Sequence, residues 1–182
     1  AAGQQIVFVE PFGIGEAKLP APVQQLRNSS RYFSTFNRTD AAEQVFDILT
    51  VLAVYTGEQK YGRINLLGMG EMGPVTLLTR AMVPENLVKA KRLHTAVDMH
   101  QFDIDNDGDY LKRLYVPNIR RIGGLRAVSA IAANGPIWFY NTSASFDDDW
   151  PGLSARQKNV ECRINRENVE IKALLEWLTA GQ

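Results

Sequence analysis

The chain has 182 residues with 20 Lys and Arg against 20 Asp and Glu, so its formal charge is zero. Neutrality excludes a polyanion binder held by bulk charge, and no nucleic-acid partner is expected. Hydrophobic residues at 45% and charged residues at 22% exclude intrinsic disorder and point to one soluble domain. No apolar run approaches the roughly 20 residues a bilayer crossing requires, so no membrane partner is expected. The one cysteine, Cys162, excludes an internal disulfide. It leaves the compartment open, secreted and periplasmic locations included.

Ile6, Val7, Phe8 and Val9 form a short, partly β-branched run closed by Pro11 and Gly13, which reads as a buried strand. A loop rich in Pro, Gly, Asn and Ser follows to Arg38. Asp40 with Glu43 three residues later predicts a helix start. Val45, Ile48, Leu49 and Leu52 give that helix one apolar stripe up to Tyr55, with Gly57 as its stop. Residues 63–67 read as a second strand, 68–74 as a Gly-rich turn and 75–82 as a helix. A third strand is predicted over 93–97, followed by an acidic loop at 103–109. A helix over 122–133 stops at Asn134-Gly135, residues 136–140 form the fourth strand and 160–164 a fifth. The last helix, 168–180, carries Ile171, Leu174, Leu175 and Leu178 on one stripe. Alternating strands and helices predict an α/β fold with a mostly parallel sheet of about five strands, flanking helices and right-handed crossovers.

Ligands of open α/β sheets bind outside the carboxyl ends of the strands, which puts the turn Gly68-Met69-Gly70-Glu71-Met72-Gly73 first in line for chemistry. Three readings compete. As G-x-G-x-x-G between strand and helix, it fits nucleotide binding, but Val88 stands where a ribose-binding acid is expected and Asp98 comes about ten residues too late. As a nucleophile elbow it puts Gly70, which has no side chain, at the nucleophile position. As a structural turn it needs no ligand, the glycines serving only close packing.

The segment Phe8-Val9-Glu10-Pro11-Phe12-Gly13-Ile14-Gly15-Glu16-Ala17 resembles the strand-plus-loop D-x-x-G-x-G-x-S of α/β-hydrolases. Asn37-Arg38-Thr39 and Val45-Phe46-Asp47-Ile48-Leu49-Thr50 are similar to the helix before the nucleophile strand in acetyl-xylan-esterase-like and prolyl-oligopeptidase-like members. Ile122-Gly123-Gly124-Leu125, Pro136-Ile137-Trp138-Phe139-Tyr140-Asn141-Thr142 and Phe146-Asp147 resemble later strands of these families, in the same order. The resemblance implies the C-terminal part of such a domain and a small ester substrate. It also implies a Ser, an acid and a His in that chain order. Gly70 occupies the place of the Ser, and His94 and His100 both precede the acidic candidates Asp147, Asp148 and Asp149. A standard proton relay is therefore not expected.

A non-standard site remains, with Glu71, His100 and Asp98 as acid, base and orienter at the carboxyl edge of the sheet, and Asp147 as the family-type acid. Asp103, Asp105, Asp107 and Gly108 reproduce the opening of a calcium loop, but Leu114 takes the place of the bidentate Glu at its twelfth position. Weak calcium binding or a solvated acidic loop are the alternatives; no other cofactor is expected. His94 reads as a core residue, Cys162 as a buried thiol, and Ser143 and Ser145 lie near no histidine in sequence. A full domain of about eight strands at roughly 30 residues per βα unit needs about 240 residues. The shortfall predicts an open sheet edge, covered by a homodimer or a partner segment.

Overall fold

The computed structural model describes residues 5–29, 33–57, 63–84 and 93–180. Four strands, β1 (Ile64–Gly68), β2 (Leu93–Asp98), β3 (Ile137–Tyr140) and β4 (Cys162–Ile164), form one sheet in the order β1-β2-β3-β4. All pairings are parallel, and the register sets Gly68 opposite Val97 and Asp98 opposite Tyr140. The helices are α1 (Ala21–Ser29), α2 (Phe33–Phe36), α3 (Asp40–Gly57), α4 (Met72–Met82), α5 (Asp107–Arg113), α6 (Gly124–Ala132), α7 (Asp149–Lys158) and α8 (Ile171–Thr179).

Strand order that follows chain order, combined with right-handed crossovers, puts every crossover helix on the same face of the sheet. The packing agrees, since α3 lies against α4, α4 against α6 and α6 against α7. Period-two alternation divides the core accordingly. Leu93, Val97, Ile137 and Phe139 join Val45, Ile48, Val75, Leu77, Leu125 and Val128 beneath that helix layer. Ala96, Trp138 and Tyr140 point the other way and meet Leu174, Trp177 and Leu178 of α8. Helix α8 is thus the only described helix covering the second face, with Trp138 and Trp177 in an edge-to-face pair at 5.5 Å.

Three expectations are corrected. Among the described residues the sheet has four strands rather than five, because the run Ile6, Val7, Phe8, Val9 belongs to no ladder and is exposed, Phe8 at 90%. A parallel strand is held only by a neighbour, and none of the described strands lies beside it. The stretch read as loop up to Arg38 contains α1 and α2. The acidic loop turns into α5 at Asp107, because the Asn106 side chain accepts the Gly108 N–H at 2.8 Å as an N-cap and Asp107 and Asp109 occupy the first turn. Helix α7 carries Pro151 and Gly152 and has no amphipathic stripe, so no helical signal stood there; Pro151 is tolerated because it lies in the first turn.

Candidate functional site

At the carboxyl edge of the sheet, β1 runs into the Gly68–Gly73 turn, and each glycine answers to a different constraint. A Cβ at Gly68 would lie 2.3 Å from Thr76 Oγ1, and one at Gly73 would lie 1.6 Å from the Asp98 carbonyl oxygen. These two glycines let α4 sit directly on β1 and β2. Gly70 is different, because it has open space around a would-be Cβ but a φ of +54°, in the left-handed region. The N–H of Gly70 donates to Asp98 Oδ2 at 3.0 Å, while those of Met72 and Gly73 donate to the carbonyls of Met69 and Gly70. Three of the turn's N–H groups are therefore engaged inside the protein, one of them by a carboxylate, which opposes a phosphate at the same place.

Asp98 is the hub of this edge. Its Oδ1 accepts the His100 backbone N–H and the Asn141 Nδ2, both at 2.8 Å, and its Oδ2 accepts Gly70. One buried carboxylate so ties together the ends of β1, β2 and β3 by charge-assisted hydrogen bonds. Beside it, His100 (φ +47°), Gln101 (φ +53°) and Asn141 (φ +53°) all adopt left-handed backbone conformations. For non-glycine residues each costs on the order of 1–3 kcal/mol and persists only where the surroundings over-determine it. Those surroundings are visible. Gln101 N–H donates to Asn141 O at 2.9 Å, and Gln101 Nε2 donates to Asn141 Oδ1 at 2.9 Å and to the carbonyls of Arg166 and Thr142 at 3.2 and 3.3 Å. Arg113 Nη2 donates to the His100 carbonyl at 2.8 Å.

The proposed acid, base and orienter therefore gather at one edge of the sheet, but Asp98 takes the backbone of His100 and not its ring. Among the described residues no hydrogen bond joins the side chains of Glu71, His100 and Asp98, and those of Glu71 and His100 are exposed. Ser143 and Ser145 are committed elsewhere. Ser143 Oγ donates to the Phe102 carbonyl at 2.7 Å and lies 3.0 Å from Ser145 Oγ, which accepts the Ile104 N–H at 3.1 Å.

The acidic segment is organised by arginines. Arg126 grips Asp105 with two parallel bonds, Nη1–Oδ1 at 2.8 Å and Nη2–Oδ2 at 3.0 Å, and its Nε lies 3.6 Å from Asp147 Oδ2. The Arg126 hydrogen bond holds Asp105 below the usual carboxylate range. The Ser145 hydroxyl does the same for Asp103, whose Oδ1 also accepts the Asp105 N–H. Asp107 pairs with Arg120 Nε at 3.1 Å. The three candidate calcium ligands are thus engaged by separate partners. Among the described residues the acidic oxygens that do converge, within 4.8 Å of one another, belong to Asp147, Asp148 and Asp149.

Burial shapes the remaining titratable groups. His94 packs against Trp177 at 5.5 Å, and desolvation, reinforced by Arg63, lowers its pKa. Burial pushes the Cys162 thiol up to about 11 and raises the Tyr140 phenol as well, with Asp98 adding to the effect. Sequence reasoning placed Asp98 and His100 at this edge but missed Asn141 and Gln101. The one signal for Asn141 was an Asn directly after a strand, a residue type that tolerates the left-handed region; Gln101 carried none. Comparison of the chain with protein-family models, with curated proteins and with solved structures finds no significant match.

Proposed function

We propose that this chain is an α/β-hydrolase-like domain whose nucleophile elbow has lost its nucleophile, and that it acts as a non-hydrolytic scaffold or binding module. Gly70 carries this reading. It sits between strand and helix with a φ of +54°, the strained backbone an elbow imposes on its nucleophile, yet it presents no side chain. A parallel sheet in which the strand feeding this turn is followed in chain order by three more, with crossover helices packed on one face, is compatible with this reading. The engagement of Asp98 by Gly70, His100 N–H and Asn141 supports an architectural rather than a catalytic use of that carboxylate.

The opposing reading is an ester hydrolase that uses Glu71, His100 and Asp98, or residues supplied by another chain. A p-nitrophenyl acetate assay on the purified protein, run beside Glu71→Gln and His100→Ala, separates the two. The expected result is the buffer rate for all three proteins. Turnover above that rate in the parent protein, abolished in both variants, would overturn the proposal. Nucleotide binding at the Gly68–Gly73 turn makes its own prediction, a thermal shift with millimolar NAD or FAD, and the engaged amides of the turn predict none.

A further inference from the structure

Two incomplete structures in this protein have the same chemistry. The first is β1, an edge strand with a ladder to β2 on one side and, among the described residues, no strand on the other. Its outer backbone groups are an open template for another strand, and Ile64, Asn65, Leu66 and Leu67 place no charge there to blunt it. The second is the run Ile6, Val7, Phe8, Val9, which has strand composition but joins no ladder. Ile6 is 71% and Phe8 90% exposed, an unusual cluster of apolar side chains for a neutral soluble chain.

The helix layer relates the two. Helices α3, α4, α6 and α7 follow one another across one face of the sheet, and α4 lies between β1 and β2 in the chain. Next in that series, α3 packs against α4, and in the chain it stands between residues 6–9 and β1. A right-handed crossover through α3 assigns residues 6–9 to the open side of β1, running parallel to it. The chain's own run is held back from that position. The Phe12 N–H donates to Asp47 Oδ2 at 2.8 Å and the Phe12 carbonyl accepts from Gln44 Nε2 at 3.1 Å, fixing the segment against the side of α3.

We infer that residues 6–9 of one copy of this chain add as a parallel strand to the β1 edge of a second copy, reciprocally, so that each sheet gains a fifth strand. The two surfaces are complementary in being apolar and uncharged, and a net charge of zero removes long-range repulsion between copies. Four exposed apolar side chains buried twice over, with the edge that receives them, remove on the order of 1,200 Å² from water, the lower bound of specific interfaces. The reciprocal exchange is closed by a two-fold axis, so the association stops at two copies. This inference is independent of whether the protein cleaves esters.

Multi-angle light scattering tests it at tens of micromolar protein. The expected mass is twice 20.3 kDa for the parent chain. Phe8→Asp and a chain lacking residues 1–9 should both be monomeric, with unchanged circular dichroism because Phe8 lies outside the core. A synthetic peptide of residues 5–10 should dissociate the parent dimer. A monomeric parent protein, or a dimer that survives both Phe8→Asp and removal of residues 1–9, would overturn the proposal.

Discussion

Replacing Gly73 by Ala tests how the candidate site is built. Helix propensity alone favours the substitution by roughly 1 kcal/mol, since Gly73 lies within α4. The contact opposes it, because the new Cβ would meet the Asp98 carbonyl oxygen at 1.6 Å, whereas ordinary contacts begin at 3.4 Å. The obstacle is backbone, so no side chain can rotate away, and α4 must retreat from β2 by about 2 Å. Overpacking of this kind costs about 3 kcal/mol or more, leaving a net loss of about 2–4 kcal/mol. For a chain of this size that is a fall of roughly 5–12 °C in melting temperature. Urea denaturation followed by tryptophan fluorescence reads it directly, since Trp138 and Trp177 are buried in the core on the far face. Gly70→Ala is the comparison, with free space but a positive φ, and costs about 1–2 kcal/mol. A Gly73→Ala protein as stable as the parent, or less perturbed than Gly70→Ala, would refute the close approach of α4 to β2.

The buried guanidinium of Arg80 finds no hydrogen-bond partner among the described residues, and burial lowers its pKa to about 10. Arg80→Met should therefore raise the urea midpoint, by about 1–4 kcal/mol in stability; a lowered midpoint would mean that an anion compensates the charge. The pKa of His94 is lowered by burial, so the unfolded chain binds the proton more readily. Its contribution to stability is present above about pH 6.5 and is lost as pH falls toward the folded-state pKa. Melting temperatures between pH 7.5 and 5.5 should fall more steeply for the parent protein than for His94→Gln, and parallel slopes would contradict this. With its thiol pushed up to about 11, Cys162 should be only about one-thousandth thiolate at pH 8. Ellman's reagent should then react far more slowly with folded than with urea-unfolded protein, and equal rates would show that the thiol is accessible.

Much of the architecture was legible because it rests on local patterns. The stripe Val45, Ile48, Leu49, Leu52 located α3, whose buried face is Ala41, Val45, Ile48 and Leu52. The strand readings at 63–67, 93–97 and 136–140 each fall within one residue of β1, β2 and β3. The site was legible only as a location. That Gly73 exists to admit the Asp98 backbone, and that Asp98 serves Gly70 and Asn141 from 28 and 43 residues away, are facts about approach in space, and no spacing in the sequence encodes them. The partners of the acidic stretch at 103–109 were hidden for a related reason, since Asp107 and Asp105 pair with Arg120 and Arg126, which α6 and the turn before it bring alongside.

The sequence by itself determined a neutral α/β chain with parallel strands, a strand–turn–helix at Gly68–Gly73 and no side chain at Gly70, because charge, periodicity and residue identity are properties of the chain alone. Only the tertiary structure decided which strand-forming runs become strands. Residues 93–97 and 6–9 carry comparable apolar signals, yet one is flanked by β1 and β3 while the other has no ladder. A strand's backbone hydrogen bonds lie with its neighbours, so its existence is settled by what stands beside it.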